Sequence, residues 1–212
     1  MTSLDVQTVR KMLEVASETI IANEKYLCEL DSVIGDGDHG VTAARGFRKV
    51  LDILHQEQFT TIQSLMVKVG ASLTSGMGGA IGPIFGTIFS EAGKHAGEKS
   101  TISAQDWHDM FEASLQKVMR IGRVQEGDRT IVDALAPAVR SMKNAINQGK
   151  SLKEIFHAAA EAAEEGAENT KKMMAKKGRA RFLGEKSMGY RDAGASSIAL
   201  IFKSMYECVA DK

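Results

Sequence analysis

A chain of 212 residues, 43% of them hydrophobic, can bury a full core and is most simply one domain spanning 1–212. Its 27 basic and 27 acidic residues balance, which gives no reason to expect nucleic acid or an anionic membrane as a partner. No run is apolar enough to span a bilayer, and Met1-Thr-Ser-Leu-Asp5 lacks the basic and apolar regions of a leader. Cys28 and Cys208 are too few for a disulfide framework and read as small core residues in a reducing, cytoplasmic setting.

The apolar spacing is helical almost throughout. Val6, Val9, Leu13, Ala16 and Ile20 step by three and four after Ser3, a candidate N-cap, and predict a first helix running to about Glu29. It delivers Asp31-Ser-Val-Ile-Gly-Asp36-Gly-Asp38-His39-Gly40, where three carboxylates and three glycines fall within ten residues. Carboxylate oxygens are the hard ligands Mg²⁺ and Ca²⁺ choose, and like charges gathered this closely cost free energy unless a cation offsets them. A divalent metal site is therefore the leading reading, against an ordinary acidic solvated loop. An EF-hand fails on spacing, because its third, fifth and twelfth positions, counted from Asp31, would be Val33, Gly35 and Thr42. A second helix from about Val41 begins directly after the turn, offering N–H groups and a positive dipole end to an anion.

A third helix is expected from Thr61 to about Leu73. It leads into Thr74-Ser-Gly-Met-Gly78-Gly79-Ala80-Ile81-Gly82-Pro83, either a phosphate- or base-facing loop or a close-packed helix connection. A fourth helix runs from about Ile84 to Ala96. Ser103 with Asp106 reads as the cap of a fifth helix carrying Trp107, Phe111, Leu115 and Val118, with Trp107 in packing. The loop Gly122 to Thr130 precedes a sixth helix, Ile131 to Ile146, in which Pro137 predicts a kink. Ser151 caps a seventh, Ala- and Glu-rich helix to about Met174, whose acidic face reads as solvated. A basic, Gly-rich stretch, Lys176 to Gly194, leads to a last helix, Ala195 to about Val209; it suits phosphate, an acidic partner or plain solvent. No Walker A motif occurs and no strand is expected.

The pattern is all-α: about eight amphipathic helices in an antiparallel bundle or barrel. If direction alternates, the connections after the first, third, fifth and seventh helices emerge at one end. These are the acidic turn, the Thr74–Pro83 loop, the Gly122–Thr130 loop and the basic stretch. Four ambiguous loops thereby become one candidate site for a metal-bound polyphosphate.

Asp31…Gly-Asp36-Gly-Asp38-His39-Gly40, Gly78-Gly-Ala-Ile-Gly-Pro-Ile-Phe-Gly86, Gly127-Asp-Arg-Thr130 and Lys177-Gly-Arg179-Ala…Leu-Gly184-Glu together resemble the nucleotide-binding L subunit of dihydroxyacetone kinases, in order and over essentially the whole chain. The resemblance implies an eight-helix antiparallel barrel with the nucleotide at one end. It implies two Mg²⁺ ions on Asp31, Asp36 and Asp38, and ADP or ATP held by His39, Gly40, Thr42, Gly79, Ala80, Ile81, Gly122, Ile131, Arg179, Asp192, Ala193 and Gly194. It also implies a separate K-type subunit holding the ketone on a histidine absent from this chain, so that no catalytic residue is expected here beyond the metal–nucleotide site. The donor stays open. Gly37 and Thr42 lean towards ATP-dependent members, whereas His39, Arg45-Gly-Phe47 and the short chain lean towards members recharged by a phosphohistidine carrier of the sugar phosphotransferase system. A homodimer and a non-catalytic, nucleotide-sensing module that binds a regulator also stay open.

Overall fold

The computed structural model describes residues 3–210. The first helix is started by Asp5, whose carboxylate accepts the Thr8 N–H at 2.7 Å, and not by Ser3. Ser3 instead belongs to a short strand, β1 (Ser3–Asp5), and α1 then covers Val6–Ala22. The helix does not continue to Glu29. At Asn23 the side-chain amide donates back to the Thr19 carbonyl at 2.8 Å, and α2 (Glu24–Ser32) starts afresh. Next come α3 (His39–Gln56), α4 (Ile62–Gly76) and α5 (Ile81–Ala96). A second strand, β2 (Thr101–Ser103), pairs antiparallel with β1, Leu4 opposite Ile102. This small ribbon is the strand content that the sequence reading lacked. Then follow α6 (Ala104–Gly122), α7 (Val132–Asn147), α8 (Leu152–Asn169) and α9 (Ala193–Ala210), so the described residues form nine α-helices.

Two helix starts are the ones expected. Ser103 and Asp106, and likewise Ser151 and Glu154, form reciprocal capping boxes that satisfy N–H groups the helix itself leaves unpaired. Pro137 lies within α7; it has no N–H to offer the Asp133 carbonyl one turn back. That carbonyl is approached by Gly166 of α8 so closely that a Cβ there would overlap it.

The helices form a closed ring. Passing over α2, each packs on the next, and α9 returns to pack on α1. The eight-helix barrel expected from the sequence is this ring; α2 is the ninth helix because the first one breaks, and it lies against α3 and α9. Phe47 meets Phe85 and Phe89 edge-on, at 6.2 and 6.5 Å between centroids. Trp107 is buried as a packing residue, 5.0 Å from Phe111 and 5.5 Å from Phe156. Gly70 and Gly86 let α4 and α5 touch backbone to backbone, since a Cβ on Gly86 would come within 2.7 Å of the Gly70 carbonyl. Cys28 and Cys208 are half-buried, Cys208 packed against the hydrophobic core, and no disulfide joins them. Among the described residues, no helix is long and apolar enough to cross a membrane.

Candidate metal and nucleotide site

The acidic turn is folded around Asp31. Its backbone carbonyl accepts the Gly35 N–H at 2.6 Å, and Gly37 turns the chain with φ +75°. Its carboxylate Oδ2 accepts the N–H groups of Asp38 at 3.1 Å and His39 at 3.4 Å, holding the entry to α3. A Cβ on Gly35 would overlap the Asp31 carboxylate, which is why a glycine stands there. Folded this way, Asp31, Asp36 and Asp38 each bring an oxygen within 4.8 Å of the others. Oxygens sharing one ion can stand no farther apart than twice the ion–oxygen distance, about 5.2 Å for Ca²⁺ and about 4.2 Å for Mg²⁺, so the trio spans a Ca²⁺ as it stands and would draw in by about 0.6 Å around a single Mg²⁺.

His39 opens α3 and bonds through Nε2 to Ser197 Oγ of α9 at 2.9 Å. Burial pushes its imidazole down to about 4, so the ring is neutral near pH 7. Thr42 follows one turn later, buried and lining the same cavity. Beside the turn, the Arg179 guanidinium forms an ion pair with Asp36.

These groups line a cavity of about 770 Å³. All four expected loops contribute to its lining: the acidic turn, the Gly78–Ile81 stretch, the α6–α7 connection and the basic segment with Asp192. Gly79 turns the second of these with φ +61°, and Arg45 steadies it by donating Nε to the Gly76 carbonyl at 2.8 Å. Ile81, Ile84, Phe85, Val118, Val124 and Ile131 add apolar surface to a lining that also holds the carboxylates. Such a lining can take a cation, an anion and a flat apolar group together.

Of the residues singled out from the sequence, Asp31, Asp36, Asp38, His39, Thr42, Gly79, Ala80, Ile81, Gly122, Ile131, Arg179, Asp192, Ala193 and Gly194 line this one cavity. Gly40 does not. It is buried where α2 crosses α3, and a Cβ there would overlap the Glu24 carbonyl and crowd Cys28. The sequence reading omitted Arg45, Thr130, Lys177 and above all Arg129 from the candidate set, although each lines the cavity. For Arg129 the signal was its place beside Gly127; nothing in the sequence says that the side chain is almost wholly buried.

A DAK2 domain family model matches residues 33–207. The chain belongs to the DAK2 family. Asp36 and Asp38 fall inside the matched span and Asp31 two residues before it. This DAK2 chain is 33% identical to the ADP-binding subunit of the PEP-dependent dihydroxyacetone kinase of Escherichia coli, over 96% of its own length and 97% of the relative's. It is 32% identical to the ADP-binding subunit of the PTS-dependent dihydroxyacetone kinase of Lactococcus lactis, over 98% and 100%. Its fold is similar to the crystal structure of the C. freundii dihydroxyacetone kinase in complex with AMP-PNP and Mg²⁺, with a TM-score of 0.73 and 30% identity. That match takes in 98% of this DAK2 chain, which spans about a third (34%) of the C. freundii chain.

Proposed function

We propose that this chain is the nucleotide-binding subunit of a kinase that phosphorylates dihydroxyacetone or a related short ketose, the ketose being held on a separate K-type subunit. The observation that carries the proposal is the meeting of Asp31, Asp36 and Asp38 in the lining of a cavity that also carries substantial apolar surface. A volume near 770 Å³ falls in the range of pockets that enclose a nucleotide-sized ligand.

Asp31, Asp36 and Asp38 would hold the metal, two Mg²⁺ ions in this reading. Bound Mg²⁺ would neutralise the phosphate oxygens and draw charge from the transferring phosphoryl group. The chain itself does the positioning. The first turn of α3 presents N–H groups and the positive end of its dipole, and Thr42 lines the same space. His39, neutral and fixed on Ser197, offers a hydrogen bond without adding charge. Arg179 supplies a cation beside Asp36, where negative charge gathers as the phosphoryl group moves. Gly79, Ala80, Ile81, Gly122 and Ile131 would enclose the nucleotide base and sugar, while Asp192, Ala193 and Gly194 would close the remaining side.

Both relatives aligned over almost their whole length are named for PEP or the phosphotransferase system. This supports ADP as a resident cofactor, recharged by a phosphohistidine carrier in the cytoplasm, with MgATP as a co-substrate the second reading. The experiment is to denature the purified protein and identify the nucleotide it releases. ADP in stoichiometric amount after dialysis supports the carrier-fed reading. An empty site that binds MgATP reversibly supports the second. Binding of neither nucleotide with Mg²⁺ present overturns the proposal. Asp36→Ala and Asp38→Ala should each abolish Mg²⁺-dependent nucleotide binding and the activity seen when a K-type partner is added. Binding that persists without activity in the presence of that partner would indicate a nucleotide-sensing module instead.

A further inference from the structure

The basic segment after α8 carries Arg179, and it is held at both ends by the single loop Gly127–Thr130. At its start, Lys176 donates its N–H to the Asp128 carbonyl at 3.1 Å, and its ammonium lies 3.4 Å from the Asp128 carboxylate. At its end, Arg129 donates Nη2 to the Tyr190 carbonyl at 2.8 Å, with Nη1 3.9 Å from Asp192 Oδ1. Asp192 in turn accepts the Ala195 N–H at 2.8 Å and so starts α9. The loop is rigidly made for this purpose. Asp133 takes the Thr130 N–H at 2.7 Å and the Gly127 N–H at 2.5 Å, and Arg129 itself stands at φ +61°, a backbone conformation that residues with a side chain rarely adopt.

A guanidinium only 1% exposed is an unusual thing to bury beside a ligand cavity. Its Nε is sealed from solvent and has no hydrogen-bond partner, while its two terminal nitrogens are committed to the protein itself. Its contacts lie towards Tyr190 and Asp192, the residues leading into the turn that lines the cavity.

We propose that Arg129 is a positioning residue: a buried latch that keeps the Tyr190–Gly194 turn, and with it the returning end of the Arg179 segment, closed over the cavity. The inference rests on the nucleotide reading above and adds to it the residue that sets how long the nucleotide stays. Arg129 acts through Asp192 and Tyr190, so its loss should appear in ligand release before it appears in overall stability.

The test uses the full-length chain with Mg²⁺ and a fluorescent N-methylanthraniloyl derivative of ADP, comparing wild type with Arg129→Met, Arg129→Lys, Asp192→Asn and the Arg129→Met/Asp192→Asn pair. Arg129→Met should speed nucleotide dissociation by about tenfold or more with a smaller change in association, and Arg129→Lys, which keeps the charge but not the fork, should recover part of that loss. The double variant should release nucleotide little faster than the worse single one, because the two residues form one latch. Amide hydrogen exchange at 189–195, measured without nucleotide, should rise in Arg129→Met while α4 and α5 stay protected. Unchanged dissociation together with unchanged exchange in a folded Arg129→Met protein overturns the latch. A wild type that binds no nucleotide overturns the functional reading itself. The exchange arm separates the two failures, since it reports on the turn whether or not a nucleotide is bound.

Discussion

Neutralising one acid in the turn should stabilise the metal-free protein, which is the reverse of what removing a structural ion pair does. With the three oxygens at most 4.8 Å apart, each carboxylate pair repels by about 0.9 kcal/mol in a water-like dielectric. Asp38→Asn removes two of the three pairs, worth about 1.7 kcal/mol. It also removes a negative charge from the N-terminus of α3, which costs about 0.5 kcal/mol in helix-dipole interaction. The Asn side chain keeps the ability to cap, and no side-chain cap bond is made by Asp38 to be lost. Repulsion wins by about 1 kcal/mol, a rise in melting midpoint of about 2–4 °C for a chain of this size. Thermal unfolding followed by circular dichroism in EDTA, at about 0.01 M and about 1 M salt, measures it. At the higher salt the screening length of about 3 Å is shorter than the carboxylate spacing, so the gain should nearly vanish. A midpoint that does not rise at low salt, or a rise that survives high salt, refutes the account of the turn as a cluster strained for a cation.

Three further outcomes follow from other parts of the fold. Ser103→Ala should cost about 1 kcal/mol in urea unfolding, because the Asp106 N–H loses its capping hydroxyl. Lys99 and Ser103 hold the Asp106 carboxyl down at about 2, so this group adds stability above the ordinary carboxylate range and loses it as pH falls through 2. Asp106→Asn should therefore flatten that part of the acid-unfolding curve, and an unaltered curve would remove the assignment. Gly86→Ala should destabilise by about 2–3 kcal/mol through the overlap with Thr74 and the Gly70 carbonyl, with a matching drop in the denaturation midpoint and no change in Mg²⁺ dependence.

What could be read from the chain before folding divides along physical lines. Short-range chemistry was legible: the caps at Ser103 and Ser151, the acidic turn, and the apolar faces that make the ring. The convergence of four loops was legible too, because alternating helix direction needs only a count. The break at Asn23 was not, since it interrupts no apolar period and uses neither glycine nor proline; a side-chain amide bonding one turn back does the work. The β1–β2 ribbon is three residues a side, too short for an alternation to show. Gly40 and the glycines of the turn look alike in sequence, but Gly40 serves a helix crossing and Gly35 and Gly37 shape the loop. Arg129 is the clearest loss: its role depends on residues 61 positions away, at Tyr190, and no local pattern encodes that.

The return of α9 onto α1 joins the first helix of the ring to the last. A ribosome delivers this chain from the N-terminus, so the apolar stripe of α1 must wait until α9 has been made before its second neighbour in the ring exists. The same late helix carries Ser197, the anchor of His39, and begins at the Ala193–Gly194 wall of the cavity. Barrel closure and completion of the cavity are thus one event in biosynthesis. A nascent chain lacking α9 has neither a sealed core nor a finished binding site, and ligand capture can serve as a report that this helix has been made and docked.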